Sequence, residues 1–133
     1  MKALFTGIYS LFAPAGAKPT IWTNLSGKFY LTQAPQNTDY PYAVYHLIAN
    51  DYDWMFGAKD FEEFLIQITI FDDKASASNI GTYFENMKTL YDWATPTVTG
   101  YTSVWMVREF AELLKPDNIW QYVIQYRILL EKS

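Results

Sequence analysis

The stretch FEEFLIQITIFDDKASASNIGTYFENMKTLYDW, Phe61 to Trp93, changes its hydrophobic period halfway. From Phe61 to Phe71 the pattern alternates, and Phe64, Ile66, Ile68 and Ile70 fall on one face, as in a strand. Beyond Asp72 and Asp73 the spacing becomes i, i+3, i+4, i+7 through Ile80, Tyr83, Phe84, Met87, Leu90 and Tyr91, which predicts a helix. Ser76 or Ser78 is the candidate cap, because a serine oxygen accepts from the free N–H groups of a first helical turn. The helix must end before Pro96. An uninterrupted aliphatic face has to be covered, since each buried side chain of this kind gains about 1.5–3 kcal/mol. The helical stripe is its natural cover.

The remaining elements follow from the same two periods. Leu4, Ile8, Leu11 and Phe12 share one helical stripe, so residues 2–13 read as an amphipathic helix that Pro14 and Gly16 end. The same segment, MKALFTGIYSLFAPAGA, has the lysine, apolar stretch and small residues of a short signal peptide. Thr6, Gly7, Tyr9 and Ser10 interrupt its apolar run, however, and the helix is the preferred reading. Residues 14–27 read as a loop anchored by Ile21 and Trp22. Lys28 to Gln33 is a short strand candidate, and Ala34 to Pro41 a loop. Tyr42 to Ala49 reads as a strand with Tyr42, Val44, His46 and Ile48 on one face and Ala43, Tyr45, Leu47 and Ala49 on the other. Asn50 to Asp60 reads as a long hairpin connection. Thr102 to Leu113 and Ile119 to Leu130 form a last hairpin joined by the turn residues KPDN. The inward face of 102–113 stays open: Trp105 and Val107 lie on one side, Val104, Met106 and Phe110 on the other.

These elements predict a single domain over residues 1–133. Its fold class is α+β, a two-layer sandwich of a mostly antiparallel sheet of about four strands with two helices packed on one face. The uncovered side of such a sheet should be polar. Here it carries Leu65 and Phe71 beside Glu63, Gln67 and Thr69, and Ile119, Val123 and Leu129 beside Gln121, Gln125 and Arg127. Apolar area mixed with polar groups is the makeup of a protein interface. The alternative is that the 14–27 loop half covers this face, with Trp22 lying on it.

Composition narrows the partners. Half of the residues are hydrophobic and 19% are aromatic, which excludes a disordered chain. The 18% that are charged fall below the usual quarter or so, as in a chain that hides surface in a partner or builds a tight core. The net charge is −4 and the ten lysines and arginines form no run, so there is no basic footprint for sequence-specific nucleic-acid binding. The absence of cysteine removes disulfides, cysteine–zinc sites and thiol catalysis. No apolar run approaches the 18 or so residues of a bilayer span.

No constellation points to catalysis, a metal or a cofactor. The one histidine, His46, lies in a predicted strand without local nucleophile or ligand partners. Asp51 and Asp53 resemble the start of a calcium loop but lack its glycine and distant glutamate. Glu62 and Glu63 are adjacent, and on a strand they point to opposite faces. There is no phosphate-binding glycine pattern. The loop DYDWMF is the most suggestive surface element, since Trp54, Met55 and Phe56 are contact anchors if they protrude and core residues if they fold back.

The order of elements carries a resemblance. It comprises the N-terminal helix, the proline-led strand DYPYAVYHLI, the strand FEEFLIQITIFDD, the small-residue cap and helix ASASNIGTYFENMKTLYD, and the terminal aromatic strand NIWQYVIQYRILLE. In this order the chain resembles, over most of its length, the tail terminator or tail completion proteins of long-tailed bacteriophages, small neck proteins. The resemblance implies a non-enzymatic structural protein. It implies a homo-oligomeric ring, commonly a hexamer, that caps the tail tube and joins it to the head-completion or connector protein. The place implied is the tail or neck of a virion assembled in the bacterial host cytoplasm. Candidate ring or tube contacts are then Leu65, Phe71, Val123 and Leu129 on the second sheet face, and Trp54, Met55 and Phe56 in the loop. An acidic balance also fits a lumen through which DNA slides, since like charges repel. Two other readings remain: another neck or minor tail component, and a small ligand-binding domain with a pocket lined by Tyr45, Tyr83, Tyr122 and Tyr126.

Overall fold

A computed structural model of the chain describes residues 2–54 and 60–133. The elements run α1 (Lys2–Phe12), α2 (Thr20–Asn24), β1 (Phe29–Leu31), β2 (Tyr42–Trp54), β3 (Asp60–Asp72), α3 (Ser78–Tyr91), β4 (Tyr101–Leu114) and β5 (Trp120–Lys132). A 3-10 turn, Pro116–Asn118, joins the last two strands. The strands form one sheet in the order β1-β2-β3-β5-β4. β1 pairs parallel with β2, and the other pairs are antiparallel. The class is the expected α+β, with a five-stranded mixed sheet and three α-helices in place of four strands and two helices.

The period change at residues 61–93 behaves as its pattern predicts. Phe64, Ile66, Ile68 and Ile70 have no exposure, and Ile80, Met87 and Tyr91 of α3 close over that side of the sheet, also without exposure. Ile124, Tyr126, Ile128 and Leu130 of β5 continue the same dry layer. The helix cap differs in detail. Ala77 is the residue before the first turn, and the Ser76 hydroxyl accepts from the Ser78 N–H at 3.1 Å. α1 buries Leu4, Ile8 and Phe12, one residue every turn, and Leu11 stays at the margin. It approaches the segment before β4 so closely that a Cβ on Gly7 would sit 2.5 Å from the Thr97 carbonyl oxygen. Tyr91 ties the two helices together by donating its hydroxyl proton to the Ile8 carbonyl at 2.8 Å.

Four local expectations need correction. The segment 14–27 is not all loop: Thr20–Asn24 is a helix that buries Ile21, with Leu25 buried just behind it. Tertiary contact holds this short helix, including a 2.6 Å bond from the Asn86 amide of α3 to Asn24 Oδ1. Ser26 and Gly27, at φ 51° and 75°, turn the chain out of it, and a Cβ on Gly27 would press on the Trp22 indole at 3.1 Å. β2 runs to Trp54 rather than stopping at Ala49, so the connection to β3 is much shorter than 50–60. A bulge between Leu47 and Ala49 moves Ala49 to the face of Tyr42, Val44 and His46. Bulges between Ser103 and Trp105 and between Arg108 and Phe110 do the same on β4. They place Trp105, Val107, Phe110, Glu112 and Leu114 on one face, opposite Leu129, Arg127, Gln125, Val123 and Gln121 of β5.

Candidate assembly surface

All helices lie on one side of the sheet, and among the described residues the other side is covered only at one corner, by the loop before β2. Cross-strand partners share a face in an antiparallel pair, and the registers therefore define this side. Across its middle run Ala49, Leu65, Arg127 and Val107. Below them lie His46, Gln67, Gln125 and Phe110. The 14–27 segment does not reach it: Ile21, Trp22 and Leu25 pack into the helical layer instead. Leu65, Phe71, Val123 and Leu129, expected on this face, are all on it and all partly exposed.

They do not form one patch of equal character. Phe71 is claimed from within the chain, because it stacks on Tyr42 with centroids 4.9 Å apart, and Tyr42 stacks on Tyr40 at 5.3 Å. The loop before β2 closes around this corner. Leu65 and Leu129 lie instead beside Val107 and Trp105 on the open part of the sheet. Trp54 ends β2, and its side chain, with Met55 and Phe56, lies outside the described residues.

The polar groups between these apolar side chains are paired laterally. Gln125 donates to Gln67 Oε1 at 3.0 Å, and Gln67 donates to the Thr69 hydroxyl at 3.3 Å. Arg127 makes a bidentate contact with Glu109, both bonds 3.0 Å, and approaches Glu63 at 3.8 Å. The Glu109 hydrogen bonds, with the fields of Glu63 and Asp51, push the Arg127 guanidinium above its ordinary value. A polar group that is already hydrogen-bonded costs far less to cover than an orphan. This face can therefore lose its water without stranding those donors.

Chemistry of other kinds finds little support. Among the described residues no three His, Asp or Glu side chains gather as metal ligands. No helix among them is long and apolar enough to cross a membrane. His46 pairs with Gln67 across the strands, on the side of the sheet opposite the helices. The four tyrosines proposed for a pocket are packed: Tyr45 stacks on Phe29 at 4.4 Å, Tyr122 stacks on Phe84 at 4.0 Å, and the Tyr126 hydroxyl donates to Asp92 Oδ1 at 2.6 Å. Tyr83 is partly buried against the core. Burial drives Tyr45 up to about 12, so its phenol stays neutral.

One buried group has no use in this surface. Asp72 ends β3 on the helical side, without exposure, and no donor reaches either carboxylate oxygen in good geometry. Across the strands the Trp120 indole N–H is likewise without a partner. Desolvation pushes the Asp72 carboxyl above its ordinary value; Asp73 adds to this, and the N–H groups and ammonium of the next residues temper it.

No protein-family model matches the chain, and no curated protein matches it. Among solved structures it is similar to a chain described as "Virion of native gene transfer agent (GTA) particle". The TM-score is 0.71 at 16% identity, covering 98% of this chain and 96% of that one. At that identity the likeness shows a shared fold, and it extends over nearly the whole of both chains.

Proposed function

We propose that this chain is a structural subunit of the head–tail joining region of a phage or phage-like particle, a tail terminator or tail completion protein. Copies of it close into a ring, a hexamer by the family resemblance, on the end of the tail tube and meet the head-side connector. Its place is the tail or neck of a particle assembled in the bacterial host cytoplasm. Another neck or minor tail component of the same shape is the neighbouring reading.

The observation that carries the reading is the sheet face left open over all but one corner, in a fold shared end to end with a chain of a virion. A free domain gains nothing from holding Leu65, Leu129, Val107 and Trp105 partly in water. A subunit does, because apolar groups among prepaired polar ones give a contact that releases water without orphaned donors. Native mass spectrometry and light scattering test the ring. The expected result is one closed homo-oligomer. A chain that stays monomeric at its highest soluble concentration overturns the proposal. Binding to purified tail tubes, seen by electron microscopy at their ends, separates a terminator from another neck component.

A further inference from the structure

Trp93 has the most exposed large apolar side chain among the described residues, at 74%. Its backbone stands at φ 63°, a left-handed conformation that bulky residues rarely adopt. The surroundings enforce that conformation. The Trp93 N–H donates to the Met106 carbonyl at 2.8 Å, and the Ala94 N–H to the Tyr91 carbonyl at 3.0 Å. Asp92, just before it, accepts from the Tyr126 hydroxyl and pairs with Arg108 at 3.3 Å. The indole is thus mounted on a fixed base beside the edge strand β4. The backbone under the anchor is therefore already ordered, and binding has the rotation of the side chain left to fix.

The opposite edge of the sheet offers a receptor. Between α1 and β1 lies an open cleft of about 510 Å³ whose apolar lining includes Phe5, Tyr9, Leu31 and Tyr45. Tyr9 and Leu31 are 40% and 43% exposed, so their apolar surface is also unspent. Lys2 and Thr6 stand at the cleft. An ammonium is attracted to the face of an indole, and a hydroxyl can accept its N–H.

Knob and cleft lie at opposite edges of one sheet, so a molecule cannot satisfy its own pair. The arrangement fits a head-to-tail contact, the kind that repeats around a ring. We propose that Trp93 of one copy seats in the α1–β1 cleft of the next, and that this contact anchors the ring. The inference rests on the ring reading above and names its contact. One tryptophan buries about 150–250 Å², well short of the 1,200–2,000 Å² or so of a stable interface. The rest is available alongside, where Phe110, Leu113 and Leu114 of β4 are exposed.

The test uses two full-length variants. Trp93→Gly removes the knob, relaxes the left-handed backbone and leaves the cleft. Tyr9→Arg blocks the cleft and leaves the knob; Tyr9 is exposed, and thermal melts check that both variants fold. Each alone should raise the self-dissociation constant about 30-fold or more, the loss expected of an interface anchor. Mixed one to one, at a concentration where each alone is monomeric, they should form a heterodimer, because each retains the half that the other lacks. A wild-type ring that Trp93→Gly leaves unchanged overturns the contact while the ring reading stands. Variants that dissociate but give no heterodimer overturn the pairing of knob and cleft. A wild-type chain monomeric at every concentration overturns ring and contact together.

Discussion

On β3, Phe64, Ile66, Ile68 and Ile70 are sealed from water, while the residues between them, Leu65, Gln67 and, at the ends, Glu63 and Phe71, keep partial contact with it. The two sets share one backbone and differ in what faces them. The sealed side meets side chains of α1 and α3 and owes its stability to burial. Among the described residues the other side meets only the loop before β2, at the Tyr42–Phe71 corner, and elsewhere it arranges its amides and ion pairs sideways, along the sheet. The contrast teaches that alternation divides one strand: Phe64, Ile66, Ile68 and Ile70 hold the fold, and Leu65 and Gln67 between them keep contact with water.

The sharpest way to break this contrast is to truncate one residue from each side. Ile68→Ala should cost about 2–5 kcal/mol in urea unfolding, because it removes buried methylenes and leaves a cavity under α3. Val123→Ala, on the open side of the neighbouring strand, should cost about 1 kcal/mol or less in the monomer. Equal costs would mean that the second side is as closed in solution as the first.

Tyr126→Phe probes a place where the sealed layer carries a polar bond to its rim. The Tyr126 hydroxyl donates to Asp92 at 2.6 Å, and burial, reinforced by that carboxylate, pushes the phenol well above its ordinary value. Losing a hydrogen bond to a charged group should cost about 1.5–3 kcal/mol. It should also loosen the base of Trp93. A melting temperature unchanged by the substitution would show that Asp92 is held by Arg108 alone.

Asp72 is the sealed side's liability, and its pH dependence has a definite sign. Its carboxyl is raised in the folded state, first by desolvation, so below the unfolded value of about 3.8 both states are protonated and no penalty exists. As pH rises from there through the raised folded value, the unfolded state ionises more readily and stability falls. Asp72→Asn should therefore stabilise the chain at neutral pH, by about 1 kcal/mol, because the site lies at the shallow end of the layer. The gain should vanish near pH 3. A gain that persists undiminished in acid would assign it to some other cause.

The sealed layer was legible because burial imposes periodicity: Phe64 to Ile70, Ile80 to Tyr91, and Leu4, Ile8 and Phe12 all stand in the pattern. The open side was legible on β3 and β5, whose pairing is unbroken, and there Leu65, Val123 and Leu129 fall where alternation puts them. It was not legible on β2 and β4, because each bulge inserts a residue and reverses the phase. Ala49 and Phe110 changed sides for that reason, and only the pairing partner reveals it. The helix at Thr20–Asn24 escaped because contacts such as Asn24 with Asn86 hold it, not its own propensity. Trp93 escaped too, since nothing in the letters YDW announces a left-handed backbone fixed from a strand's edge.

The smallest effect on stability should come from the substitution that says most about recognition. Leu65 and Leu129 sit on the open side of adjacent strands, beside the Arg127–Glu109 pair. Changing both to Ser removes apolar area from a half-wet surface and adds hydroxyls that water can satisfy. The urea midpoint of the monomer should then move by an amount equivalent to about 1 kcal/mol or less. Assembly should respond differently. If this face is covered in the ring or on the tube, each hydroxyl loses its water there, and covering an unpaired hydroxyl costs about 1–3 kcal/mol. The self-association of the double variant, measured by sedimentation, should weaken by a factor of ten or more. An unchanged association with an unchanged fold would leave the ring to the sheet edges and to Trp93, and would return this face to water.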